Sequence, residues 1–147
     1  LLSSIASADI SGTALIVDGD TITISGNKIR LNGIDTAEQN QTCKRAGITW
    51  RCGYEATETL RNWTYTKEVR CVGDTKDRYG RLIANCFVDG YNVNARLVYE
   101  GLALAYRKYS KQYVPEEDKA RAAKRGMWAG EFVAPWDWRE GKRLTSE

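Results

Sequence analysis

The chain has 147 residues, 42% of them hydrophobic, with 22 Lys and Arg against 19 Asp and Glu, a net charge of +3 and a pI near 8.7. That length suits one compact domain able to bury a core without metal or disulfides as its only support, and no apolar stretch approaches the roughly 20 residues that span a bilayer. There is no histidine, which removes the commonest general base, the commonest zinc ligand and every Ser-His or Cys-His nucleophile pair, so any catalysis must run on carboxylates, arginines and metal.

Residues 1–8, Leu-Leu-Ser-Ser-Ile-Ala-Ser-Ala, resemble the end of a secretory signal with Ala6-Ser7-Ala8 as a small-x-small cleavage pattern; the alternative is a disordered terminus. Residues 9–140 are expected to form the domain and 141–147 a polar tail. A first strand over 12–17 runs into Asp18-Gly19-Asp20. Ile22 and Ile24 then alternate with Thr21, Thr23 and Ser25, Gly26-Asn27 makes a turn, and Ile29 and Leu31 alternate with Lys28, Arg30 and Asn32, a β-hairpin pattern. Asp20 opens one strand and Asp35 lies just past the end of the other, so strand pairing predicts that the two carboxylates meet at one end. Arg30 lies on the second strand, and Glu38 follows Asp35 closely enough to share the cleft. Carboxylates without histidine suit a hard cation such as calcium or magnesium, and arginine supplies a fork matched to phosphate oxygens. The chemistry that wants both is phosphate-ester cleavage.

Gln39 to Gly53 shows no helical or strand period, and Cys43 and Cys52 could close a loop there. From Tyr54 the apolar spacing of Ala56, Leu60 and Trp63 predicts a helix ending near Thr66. Lys67–Val72 and Arg81–Val88 read as strands joined by Gly73–Gly80, with Asp89-Gly90 as the next turn. The four cysteines lack C-x-x-C spacing, and their even number favours disulfides in an oxidising compartment. They allow three connectivities, of which Cys43 with Cys52 and Cys71 with Cys86 are preferred, the latter two on neighbouring strands. Asn92 caps a helix through Glu100 that Gly101 stops. Pro115, three acids, then Lys119, Arg121, Lys124 and Arg125 before Gly126 carry every signal of another helix. Trp128, Phe132, Pro135, Trp136 and Trp138 read as an irregular tail packed on the body. This pattern alone supports a small α+β domain.

Three motifs in order, Asp-Gly-Asp-Thr at 18–21, Arg-x-x-x-x-Asp-Thr-x-Glu at 30–38 and Asp-x-Tyr-Gly-Arg at 77–81, resemble the staphylococcal nuclease (thermonuclease) family. The likeness continues through Val93-Asn94, Leu97-Val98, Gly101-Leu102-Ala103 and Tyr106, covering residues 12 to 130. It implies a five-stranded OB-type barrel with three helices, hydrolysing DNA and RNA with little sequence preference and leaving 3′-phosphate ends. It implies Asp20, Asp35 and the carbonyl of Thr36 as calcium ligands, Asp18 as an electrostatic neighbour, and Glu38 as general base or orienter of the attacking water. Arg30 and Arg81 match the arginines that hold the phosphate and stabilise the transition state. Arg78, Tyr79 and Tyr106 match nucleotide contacts, and Arg107, Lys108 and Lys111 form a basic patch beside Tyr106. Secretion or a periplasmic location is expected, with no membrane or protein partner implied and a monomer expected. Ala37 replaces the usual proline, Arg78 a common lysine, and the segment from Gly101 to Tyr106 is one residue shorter than in the staphylococcal enzyme.

Overall fold

The structure, a computed structural model, describes residues 3–145. It is an α+β fold whose main sheet is built from β1 (Ser3–Gly12), β2 (Ala14–Asp18), β3 (Thr21–Ile24), β4 (Asn27–Leu31), β8 (Val69–Lys76), β9 (Leu82–Val88) and the short β10 (Tyr91–Asn92). The order is β1-β8-β9-β4-β3-β2, with β10 on β9. All pairings in it are antiparallel except β4 with β9. Two further pairs complete the strands: β5 (Ile34–Thr36) with β11 (Ala103–Ala105), and β6 (Cys43–Arg45) with β7 (Ile48–Trp50). The helices are α1 (Cys52–Thr64), α2 (Val93–Tyr99), α3 (Val114–Ala123) and α4 (Pro135–Arg139), with a 3-10 turn at Gly126–Ala129.

The five expected strands correspond to β2, β3, β4, β8 and β9, and α1 falls between the third and fourth as expected. The remaining strands and α4 go beyond that reading. Of the terminal segment 1–8, residues 1 and 2 lie outside the described residues; from Ser3 the backbone pairs with β8, Ser3↔Lys76 to Gly12↔Val69, with a register shift between Ser4 and Ala8. The segment over 39–53 is a hairpin: three-residue strands are too short to register an alternation. The hairpin turn is Ser25-Gly26 rather than Gly26-Asn27. Positive φ at both residues, 50° and 79°, is what a two-residue turn between right-twisted strands demands, and Ile24 pairs directly with Asn27. β8 runs four residues past Val72 through an irregularity before Thr75, so its connection to β9 shortens to Asp77–Arg81.

Alternation sorts the side chains. Ile22, Ile24, Ile29, Leu31, Leu82, Ala84, Cys86 and Val88 point into one core with Leu60, Val93, Leu97 and Val98 from the helices. Cys71 and Cys86 are directly opposite in the β8–β9 register and are joined, Cα to Cα 4.1 Å. A second cluster lies under the other loop: Ala37, Leu104, Met127 and the joined Cys43 and Cys52, flanked by Trp50, Trp128, Phe132 and Trp136. The buried Asn94 ties α2 to β9 and to the end of β4. Its Oδ1 accepts from the amide of Cys86, and its Nδ2 donates to the carbonyls of Ala84 and Asn32, each at 3.0 Å. This fixes the turn that delivers β5.

Candidate active site

Asp20 precedes β3 and Asp35 sits mid-strand in β5. Pairing of Thr21 with Arg30 puts Asp20 beside the end of β4, where its carbonyl accepts from the Leu31 amide at 2.9 Å, and the chain then turns back through Gly33 into β5. The two carboxylates therefore face one group: Nη2 of Arg30 lies 3.4 Å from Oδ2 of Asp20 and 3.8 Å from Oδ1 of Asp35. Asp20 is 8% exposed and Asp35 1%. The amide of Thr36 donates to Oδ2 of Asp20 at 3.1 Å, and Asp18 accepts from the Asp20 amide at 3.1 Å. Gly19 permits this packing, since a Cβ there would come within 2.7 Å of the Thr36 hydroxyl.

Burial raises the Asp35 carboxyl to about 6 against the hydrogen bonds it accepts from Arg139. Burial, with the neighbouring Asp20 charge, likewise raises Asp18 to about 6. In Asp20 the upward pull of burial is outweighed by Arg30 and by hydrogen bonds, so it stays below the ordinary range. Carboxylate oxygens drawn together and largely out of water are the hard donors a divalent cation takes, although here Arg30 and Arg139 already supply positive charge to them. Among the described residues no group of three or more His, Cys, Asp and Glu converges. The carboxylates that meet at Arg30 are therefore two, Asp20 and Asp35.

Glu38 lies at the mouth of the same cleft. Its amide donates to Oε1 of Gln41 at 3.0 Å, and the fully buried Gln41 donates in turn to the carbonyl of Val133 at 2.7 Å. Gly53, at the start of α1, packs against the Glu38 carbonyl so closely that a Cβ would stand 1.6 Å from that oxygen. The disulfide between Cys43 and Cys52, and the backbone pairing of Lys44 with Glu131, close the loop around it. The loop that carries Ala37 in place of proline is therefore pinned from four sides.

Arg81 lies elsewhere on the same face. Leu82 of β9 pairs with Ile29 of β4 and both are buried, so Arg81 and Arg30 both project outward, Arg81 at the level of Lys28. Its Nε donates to Oδ2 of Asp77 at 2.7 Å, while Oδ1 of Asp77 accepts the amides of Tyr79 and Arg81. Arg81 is held over the Asp77 turn, with Tyr79 and Lys28 around a recess of about 330 Å³, rather than against the carboxylates. Arg78 donates to the hydroxyl of the exposed Tyr79 at 2.8 Å. Tyr106 is stacked on Trp136, ring centroids 5.3 Å apart and planes within 5°, so one face of the ring expected to meet a nucleotide is covered. Arg107 of the basic patch is tied to Glu117 at 2.6 Å.

Arg139, at the end of α4, enters the site unforeseen. Nη1 and Nη2 donate to Oδ1 and Oδ2 of Asp35 at 3.0 and 2.6 Å, Nη1 also bonds Oε1 of Glu38, and Nη2 reaches the Tyr106 hydroxyl at 3.4 Å. No period over five residues of tail announces it. Its one local signal is Pro135, which can open a helix.

The barrel-like sheet with carboxylates and an arginine at one end of a hairpin defines a member of the staphylococcal nuclease homologue family, whose model matches residues 28–130; the chain belongs to that family. The match takes in Arg30, Asp35, Thr36, Glu38, Arg78, Tyr79, Arg81 and Tyr106, and leaves Asp18, Asp20 and Arg139 outside it. Among relatives, the chain is 35% identical over 127 residues to the succinoglycan biosynthesis protein ExoI of Rhizobium meliloti, covering 84% of this chain and 66% of that protein, just under two thirds. It is 34% identical over 138 residues to an uncharacterized endonuclease of Haemophilus influenzae, covering 88% and 72%. It is 32% identical over 155 residues to the micrococcal nuclease of Shigella flexneri, covering 92% and 84%.

Proposed function

We propose that the protein is a calcium-dependent nuclease that hydrolyses phosphodiester bonds in DNA and RNA with little sequence preference, leaving 3′-phosphate ends. The observation that carries this reading is the meeting of Asp20 and Asp35 at the guanidinium of Arg30, supported by the nuclease names of two relatives. Asp20, Asp35 and the Thr36 carbonyl would hold calcium, which when bound supplies Lewis-acid stabilisation of phosphoryl charge. Glu38 orients the attacking water or receives its proton. Electrostatic stabilisation of the phosphoryl charge carries most of the rate. Arg30 neutralises the phosphate beside the carboxylates, and Arg81, on the same outward face, meets it from the Asp77 turn. Arg78 and Tyr79 hold the adjoining nucleotide, and Tyr106 takes part through whichever edge Trp136 leaves open.

The two disulfides support a secreted or periplasmic location. No helix among the described residues is long and apolar enough to cross a membrane.

The test is digestion of plasmid and single-stranded oligonucleotides in millimolar calcium, in chelator, and by Glu38→Ser and Arg81→Ala. The reading expects cutting in calcium, none in chelator, and a loss on the order of a hundredfold or more in each variant. Protein that retards oligonucleotides on a gel yet never cuts them would instead be a non-catalytic nucleic-acid-binding module.

A further inference from the structure

We propose that Arg139 is a positioning residue: its planar fork fixes Glu38 relative to Asp35, and its charge shares Asp35 with the cation. The proposal rests on the nuclease reading for Glu38, but its calcium arm needs no activity. Trp136 and Arg139 stand three residues apart on α4, hence on one face of it. Trp136 lies flat on Tyr106, and Arg139 reaches past the Tyr106 hydroxyl to grip both oxygens of Asp35. A bidentate guanidinium–carboxylate pair sets the plane of the fork as well as its position. The same Nη1 then bonds Oε1 of Glu38, so the orientation of a 1%-exposed carboxylate is passed to one at the cleft mouth.

The rest of α4 anchors this device. Pro135 is buried, Trp136 joins the apolar cluster that holds Ala37 and the disulfide of Cys43 and Cys52, and Val133 receives the side chain of Gln41. Glu38 is thus set twice from the C-terminal segment, at its backbone through Gln41 and at its carboxylate through Arg139. A positive group bonded to both oxygens of Asp35 also repels any cation that uses the same carboxylate.

The test compares wild type with Arg139→Gln and Arg139→Lys near pH 8.5, each shown folded by near-ultraviolet circular dichroism. For Arg139→Gln we expect kcat on a single-stranded oligonucleotide at saturating calcium to fall about tenfold or more, with KM altered less than about threefold. Calcium affinity, measured calorimetrically without nucleic acid, should tighten about threefold or more as the competing charge is removed. Arg139→Lys should return calcium affinity toward wild type while leaving kcat low, since a point charge lacks the fork; it carries the test alone if the glutamine variant does not fold. Unchanged kcat and calcium affinity with only a lower melting temperature would overturn the proposal in favour of a strap for the C-terminal segment. A rise in KM alone would overturn it in favour of a substrate clamp. Wild type that takes up calcium but cuts nothing would sink the nuclease reading while the calcium comparison still decides Arg139.

Discussion

The amide of Thr36 donates to Oδ2 of Asp20 at 3.1 Å, joining β5 to the turn between β2 and β3 across sixteen residues of sequence. Around this bond Gly19 closes on the Thr36 side chain and the Arg30 guanidinium reaches both Asp20 and Asp35. Gly19→Ala must separate the two segments, because the added carbon would lie 2.7 Å from the Thr36 hydroxyl. We expect a loss of about 1 to 3 kcal/mol in urea unfolding, the usual range for overpacking, together with weaker calcium uptake. Undiminished calcium affinity in that variant would show that the contact does not shape the cation site.

Gln41 should matter more than its distance from the chemistry suggests. Truncation to alanine leaves the Glu38 amide and the Val133 carbonyl without their partner, a cost of about 2 kcal/mol for buried groups. Since the Glu38 backbone is what Gln41 holds, kcat should fall while KM for nucleic acid stays nearly constant. Steady-state kinetics paired with urea unfolding checks both, and a change confined to KM would count against the assignment.

The carboxylates predict an unusual response to pH. Asp18 and Asp35 titrate near 6 in the folded chain, against 3.8 for a free aspartate. Between about pH 4 and pH 6 the folded state therefore holds more protons than the unfolded one, and stability must fall as pH rises through that window, levelling above it. Asp20 and Asp77 are held below 3.8, so the stability they contribute is lost only on acidification below about pH 4. In chelator the melting temperature should drop from pH 4 to pH 7 as these two groups lose their protons, and calcium should restore it at neutral pH. A melting temperature that climbs steadily to pH 7 in chelator would contradict the raised values.

Asn94 tests the link between fold and site. Its alanine variant strands the amide of Cys86 and one acceptor position of Asn32 in the interior, and we expect a loss of about 3 kcal/mol. Because the Asn32 turn delivers Asp35, calcium affinity should weaken as well. A destabilised protein with full calcium affinity would confine Asn94 to the core.

The sequence made much of this legible where a period or a cap was long enough to read. Ile22, Ile24, Ile29 and Leu31 alternate cleanly, so the hairpin is legible; Asp35, expected just past the second strand, lies instead in β5, brought back by the turn that Asn94 holds. Asn92 caps α2 as its position suggests, accepting from the Ala95 amide at 3.0 Å. What escaped lies in short elements fixed by distant partners. β6 and β7 have three residues each and are held by a disulfide and by Glu131. α4 has five residues, and nothing local says that Arg139 will meet Asp35 across 104 positions. Arg81 shows the opposite limit: its motif is plain, but only the structure reveals that Asp77 holds its guanidinium.

The central claim is that Asp20 and Asp35 bind one cation between them. Calorimetric titration of calcium into wild type, Asp20→Asn and Asp35→Asn, all confirmed folded, tests it most directly. The account predicts one site per chain in wild type, with affinity lowered about a hundredfold or more in each variant, as expected when a first-coordination carboxylate loses its charge. Wild-type affinity surviving in both variants would contradict it.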